Sequence, residues 1–149
     1  MVNRLKYQRV RYSDLTSRQK ENYNFQKVSS VLADYGFSTI RLSDDWQGAD
    51  FIAQHRDGNT FIKVQLKSRL SFFKKYQGKD LYICFPHGVG WFLFPHDEIL
   101  AEAQKLHDFG ETQSWMDSHG YSFPNLPKKL NSLLDPYYLL AESTVSPAS

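Results

Sequence analysis

Apolar residues between Thr16 and Gly36 recur at intervals of three and four: Phe25, Val28, Leu32 and Tyr35 form one stripe, with Val31 on its flank. This is the period of a helix that buries one face. Thr16 and Gln19 make a capping-box pair, in which a hydroxyl and a side-chain amide satisfy exposed backbone donors, so the helix is predicted to start at Thr16. Gly36 is predicted to end it in the left-handed conformation. One turn before Phe25 the stripe reaches Glu21. That carboxylate either complements the positive end of the helix dipole, or pairs with Arg18, or leans toward a sheet where it can meet a metal.

From Phe37 the period changes to two. Phe37–Leu42 alternates apolar and polar and reads as a strand, and Ser43–Gln47 reads as a loop with Asp44 and Asp45 as loop-capping residues. A second strand is predicted from Ala49 to Gln54, a turn at Arg56-Asp57-Gly58-Asn59, and a third strand from Thr60 to Leu66. The three form a meander. In the third strand Ile62, Val64 and Leu66 point to one face and can be covered by the helix, while Lys63, Gln65 and Lys67 point to the other. Such polar groups on a strongly apolar hairpin need a reason.

Ser71–Gly78 is a basic aromatic connection, either a short helix or a loop beside a substrate. Asp80–Phe85 and Gly90–Phe94 read as a hairpin over the Pro86–Val89 turn. Pro95 opens a helix to about Leu106, with Asp97 and Glu98 in its first turn and Ile99, Leu100, Ala103 and Leu106 on one face. Beyond residue 109 the pattern is less periodic, apart from a short helix around Leu130, Leu133 and Leu134 that Asp135-Pro136 ends. The whole is predicted to be one domain: a basic arm at 1–15, a core at 16–108, an accessory or subunit-contact segment at 109–142, and a disordered tail at 143–149.

Charge changes the picture more than composition does. The net charge is +2, but residues 1–79 hold 15 Lys/Arg against 7 Asp/Glu, and residues 80–149 hold 3 against 9. A basic first half suits a polyanion. Arg56, Lys63, Lys67, Arg69, Lys74, Lys75 and Lys79 bracket the meander, and Arg9 and Arg11 lie in the arm, which is either a solvated tail or a tracker of a phosphate backbone. No apolar run approaches the ~20 residues that span a bilayer, and no secretory signal is visible, so an intracellular, cytoplasmic place is expected. The single cysteine, Cys84, lies in an apolar run and reads as buried and structural. The five histidines show no zinc-ligand spacing, and neither a Gly-rich phosphate loop nor a Gly-x-Ser-x-Gly elbow is present, which argues against a zinc hydrolase or an NTPase.

The polar set fits metal-assisted phosphodiester cleavage. That chemistry needs a hard cation held by oxygens with positions left open for water and phosphate, and a nearby ammonium to steady the transition state. Asp50 supplies a carboxylate, the Gln65 amide oxygen and the Leu66 carbonyl supply further oxygens, Glu21 can complete the set, and Lys67 supplies the ammonium.

In this order (helix, strand, strand opening on Asp50, turn, strand with Gln65-Leu66-Lys67) the chain resembles the PD-(D/E)xK nuclease superfamily over residues 16–94. The resemblance implies a restriction-endonuclease-like α+β fold: an α-β-β-β meander followed by a further hairpin and helix, with a mainly helical or irregular C-terminal part. Asp50 matches the first acid and Lys67 the lysine. Gln65 stands where the second acid is usual, a variant found in active branches that include a small intron-encoded homing endonuclease. Ala49 replaces the motif's proline, and Glu21 matches a helix-one glutamate. The implied activity is cleavage of double-stranded DNA with Mg²⁺ (or Mn²⁺), of homing type, with restriction or repair nucleases next. Arg69, Lys74, Lys75, Lys79, Arg9 and Arg11 would contact phosphates. Cutting both strands of a duplex needs two sites, which implies a homo-oligomer, a dimer or tetramer. The alternatives are a catalytically silent nucleic-acid-binding module on the same fold, and an assembly protein acting through its aromatic C-terminal part.

Overall fold

The computed structural model describes residues 6–46 and 48–141; the first five residues of the arm, Gln47 and the tail expected at 143–149 lie outside them. Residues 6–11 carry no regular structure, and a 3-10 turn at Tyr12–Asp14 leads into α1 (Ser17–Asp34). Thr16 caps α1 as predicted: its hydroxyl accepts from the Gln19 amide at 3.2 Å, and the Gln19 side chain accepts from the Thr16 amide at 2.9 Å. Gly36 closes the helix at φ +86°.

Three antiparallel strands follow, β1 (Phe37–Trp46), β2 (Ala49–His55) and β3 (Phe61–Leu66). The predicted loop at 43–47 is largely strand. Its acidic residues suggested a turn, but β1 pairs with β2 again at Trp46 after a register break beyond Arg41. Between β2 and β3 the Asp57 carboxylate accepts from the Thr60 hydroxyl and from the amides of Asn59 and Thr60, which pulls its pKa down to about 2. This turn, with Gly58 at φ +75°, sets the register of the hairpin.

The chain then forms a short β4 (Ser71–Phe73), a 3-10 turn (Lys74–Tyr76), β5 (Leu81–His87) and β6 (Gly90–Pro95), so the basic aromatic connection is part strand. β5 lies parallel to β3, and β6 returns antiparallel. After α2 (His96–Leu106) come α3 (Gln113–Asp117), β7 (Gly120–Ser122), α4 (Lys128–Leu134) and β8 (Tyr138–Leu140). The main sheet runs β1-β2-β3-β5-β6-β8, and β4 pairs with β7 in a separate ribbon. The α+β class and the helix–meander–hairpin–helix order are those the resemblance implied.

Two cores flank the sheet. Val28, Val31 and Leu32 of α1 cover Phe51, Ala53, Ile62, Val64, Cys84, Trp91 and Leu93. Burial pushes the Cys84 thiol pKa up, in keeping with a structural role. Tyr35, expected on the stripe, is 41% exposed; its hydroxyl instead accepts from the Leu140 amide on the sheet's last strand. Leu106 likewise falls outside the core, as the final exposed turn of α2. The second core joins Ile83, Phe85, Phe92 and Phe94 to Ile99, Leu100 and Ala103 of α2 and to Phe109, Trp115, Phe123, Leu130 and Leu134. The aromatic residues of the C-terminal segment are thus largely committed to the fold.

His96 ties these parts together. Its ring is fully buried, Nε2 accepts from the Phe73 amide at 3.2 Å, and Nδ1 donates to Asp97 at 2.8 Å. Asp97 in turn accepts from the Gly78 amide at 2.8 Å, so one His-Asp pair holds the chain on both sides of the 3-10 turn. Burial lowers the His96 pKa despite the Asp97 hydrogen bond. Below the ordinary value of 6.5 the unfolded chain takes up a proton that the folded ring refuses. Stability from this site is therefore complete above pH ~6.5 and is lost as the pH falls toward the lowered folded value. Melting curves at pH 7.5 and 5.5 should show a drop in Tm that shrinks in His96→Gln, whose amide oxygen can still accept from Phe73. Equal drops in the two proteins would remove His96 as the cause.

Candidate functional site

β2 and β3 bring the Asp50 and Gln65 positions face to face. Continuing the register one residue past Phe51↔Val64 sets Asp50 opposite Gln65. One Asp50 carboxylate oxygen accepts from the Leu66 amide at 2.8 Å, which anchors the acid across the end of the hairpin. A cleft of about 350 Å³ opens there, between the first turns of α1 and the C-terminal end of β3. Asp50, Gln65, Leu66, Lys67 and Glu21 all line it, so the structure gathers the five proposed metal-site and catalytic residues at one place. A second cleft of about 470 Å³ adjoins it past Asp50, sharing Glu21 and Arg41.

The most informative atom is Gln65 Oε1. It is buried and has no hydrogen-bond partner. An unsatisfied buried acceptor costs about 1–3 kcal/mol, and native structures keep few of them. An amide oxygen is a donor type that a hard cation takes, and Gln65 lines the same cleft as the anchored Asp50 carboxylate. The chemistry of these residues fits Mg²⁺ or Mn²⁺: Asp50 and Gln65 would supply side-chain oxygens, Leu66 a carbonyl, and Glu21 a carboxylate from α1. Among the described residues no group of three or more His, Cys, Asp or Glu side chains forms a metal-holding cluster.

Lys67 continues from β3, its amide donating to the Cys84 carbonyl at 2.8 Å. Its ammonium lies 4.6 Å from the Phe73 ring centre and 5.4 Å from that of Tyr76. Two rings of the segment held by His96 thus cradle the charge and keep it at the cleft.

The phosphate-contact residues are more dispersed. Arg69 and Lys75 are exposed, with the Lys75 ammonium over the Phe73 and Tyr76 rings. Lys74 is half-buried with its ammonium 5.3 Å from the Trp115 ring. The Lys79 carbonyl accepts from the Lys63 ammonium. Arg9 is exposed, and Arg11 pairs with Asp14 at 3.1 Å.

Sequence reasoning missed Arg41, Lys20, Asn24 and Ser68, which also line the cleft. Arg41 donates to the Asn22 side chain and lies 5.4 Å over the Phe25 ring, which itself meets Phe51 edge-on at 5.2 Å. Alternation on β1 places Arg41 on a strand face, but only the pairing with β2 brings it beside Asp50. With Lys20, Arg41 and Lys67 against Asp50 and Glu21, the lining carries a net positive charge before any metal is added.

No protein-family model matches the chain, and no curated protein matches it. Among solved structures it is similar to Hjc, a Holliday junction resolvase from the archaeal hyperthermophile Archaeoglobus fulgidus, at 18% identity and a TM-score of 0.41, over 54% of this chain and 75% of that one. No helix among the described residues is long and apolar enough to cross a membrane.

Proposed function

We propose that the protein is a divalent-metal-dependent endonuclease that hydrolyses phosphodiester bonds in double-stranded DNA. The observation that carries this reading is the buried, partnerless oxygen of Gln65, a residue that lines the same cleft as Asp50 and Lys67. Bound by Asp50, Gln65, the Leu66 carbonyl and Glu21, Mg²⁺ would polarise the phosphate and favour ionisation of an attacking water. The chain's own contribution is positional and electrostatic. Asp50 is fixed by the Leu66 amide, so its carboxylate needs little reorganisation. Gln65 adds an oxygen without adding negative charge, which leaves the cleft attractive to a phosphate. Lys67, held over two aromatic rings, faces the charge that builds on the phosphate oxygens as water adds and the P–O bond breaks. Arg41 and Lys20 extend the positive lining along the strand's path.

Arg69, Lys74, Lys75 and Lys79, with Arg9 and Arg11 of the arm, position the duplex through its backbone. Exposure singles out Arg69 and Lys75 among the first four. Losing the Lys75 contact in Lys75→Ala should reduce the slope of log K against log salt by ~0.9 for duplex DNA, read by fluorescence anisotropy over a salt series. An unchanged slope would place Lys75 away from the phosphates. Cutting of both strands calls for a twofold-symmetric homo-oligomer, and a homing-type, site-specific enzyme fits the glutamine variant.

Gln65, a neutral amide where the second acid is usual, favours a second reading, a DNA-binding module without catalysis. Supercoiled plasmid incubated with Mg²⁺ or with EDTA separates the two. The enzyme relaxes or linearises plasmid with Mg²⁺ and not with EDTA. Salt-sensitive binding with no cleavage in either condition establishes the binding module.

A further inference from the structure

The cleft that holds Asp50 does not end at α1. Asn24 and Ser68 line it and also line a neighbouring, more apolar cleft of about 490 Å³. One wall of the neighbour is a tyrosine pair, Tyr12 and Tyr23, 44% and 39% exposed, with ring centres 5.4 Å apart and edge to face. The other wall is the β5–β6 turn, with Pro86, Val89 and Trp91. Tyr12 is not a loose surface ring: its hydroxyl accepts from the Asn24 side-chain amide at 2.9 Å, which fixes the 3-10 turn on α1. Each ring has its own cation, Lys20 at 5.3 Å from the Tyr12 centre and Lys27 at 5.4 Å from the Tyr23 centre.

Rigid, exposed aromatic rings flanked by ammonium groups suit a ligand that alternates flat π-faces with negative charges, as a polynucleotide strand does. Base pairs in an intact duplex keep their faces stacked on one another, so only an unpaired base can enter this cleft. We infer that the Tyr12–Tyr23 cleft receives an unpaired nucleobase of the DNA strand whose phosphate lies at Asp50, with Lys20 and Lys27 meeting the flanking phosphates. The substrate is then DNA that carries an unpaired or extruded base beside the cleavage position. This rests on the nucleic-acid reading above, and its test needs no cleavage.

The test uses the full chain in EDTA with two oligonucleotide duplexes of equal length, one fully paired and one with a single bulged 2-aminopurine. The bulged duplex should bind more tightly by about tenfold, within the range of stacking on one aromatic ring, and its fluorescence should be quenched on binding. Tyr23→Leu should lose both the preference and the quench while binding the paired duplex as before, and Tyr23→Phe should keep both. Thermal melts confirm that each variant is folded. Equal affinity for the two duplexes, or a preference that survives Tyr23→Leu and Tyr12→Leu, overturns the proposal and leaves the DNA reading standing. Binding to neither duplex at low salt overturns both.

Discussion

Gln65→Leu should be more stable than the wild type and should not cleave. Replacing an amide oxygen that is buried without a partner by an apolar group removes its desolvation penalty, worth about 1–3 kcal/mol. At ~2–4 °C per kcal/mol for a domain near this size, that is a rise in Tm of several degrees in metal-free buffer. The same change would remove the proposed metal ligand. Gln65→Glu should behave in the opposite sense: a carboxylate placed there without a cation destabilises the metal-free protein, Mg²⁺ restores stability by binding the folded state, and cleavage persists with a shifted metal optimum. Thermal melts with and without Mg²⁺, run beside a plasmid-cleavage assay, read both effects. Full activity in Gln65→Leu would assign the glutamine a structural role only.

Lys67→Ala should lose cleavage by ~10²–10⁴-fold, the range for a side chain that acts directly on the transition state, and should retain binding of duplex DNA. The loss belongs in kcat, because the ammonium meets charge that develops only as the phosphorus is attacked. Asp50→Ala should reduce cleavage to the level seen with EDTA. The two variants also differ structurally. Asp50→Ala leaves the Leu66 amide without its acceptor, whereas Lys67→Ala empties the cradle of Phe73 and Tyr76. Circular dichroism melts therefore accompany both assays. Unchanged cleavage in both variants would mean that the site lies elsewhere.

The parts of the site that were legible in the sequence are those written in local signals. The Thr16 box and Gly36 bound α1, the Asp57-Gly58 turn fixes the hairpin, and alternation along β3 separates Val64 from Gln65. Together these place Asp50, Gln65, Lys67 and Glu21 at one cleft. What escaped depends on pairing between distant segments. The parallel contact of β3 with β5, the β4–β7 ribbon and the closing strand β8 join residues that no local period relates. Arg41 escaped for the same reason. Acidic residues at 44 and 45 hid the end of β1, because the strand runs on through a register break and pairs with β2 again at Trp46. The aromatic segment after residue 109 lacks a period because its rings enter the second core from short, differently directed elements.

Manganese soaked into crystals of the protein tests the central claim most directly. An anomalous peak is predicted in the cleft, at ~2.0–2.2 Å from an Asp50 carboxylate oxygen and Gln65 Oε1, with the Lys67 ammonium beside it and no peak in Asp50→Ala crystals. A peak at other residues, or a cleft that stays empty at saturating manganese, would contradict it.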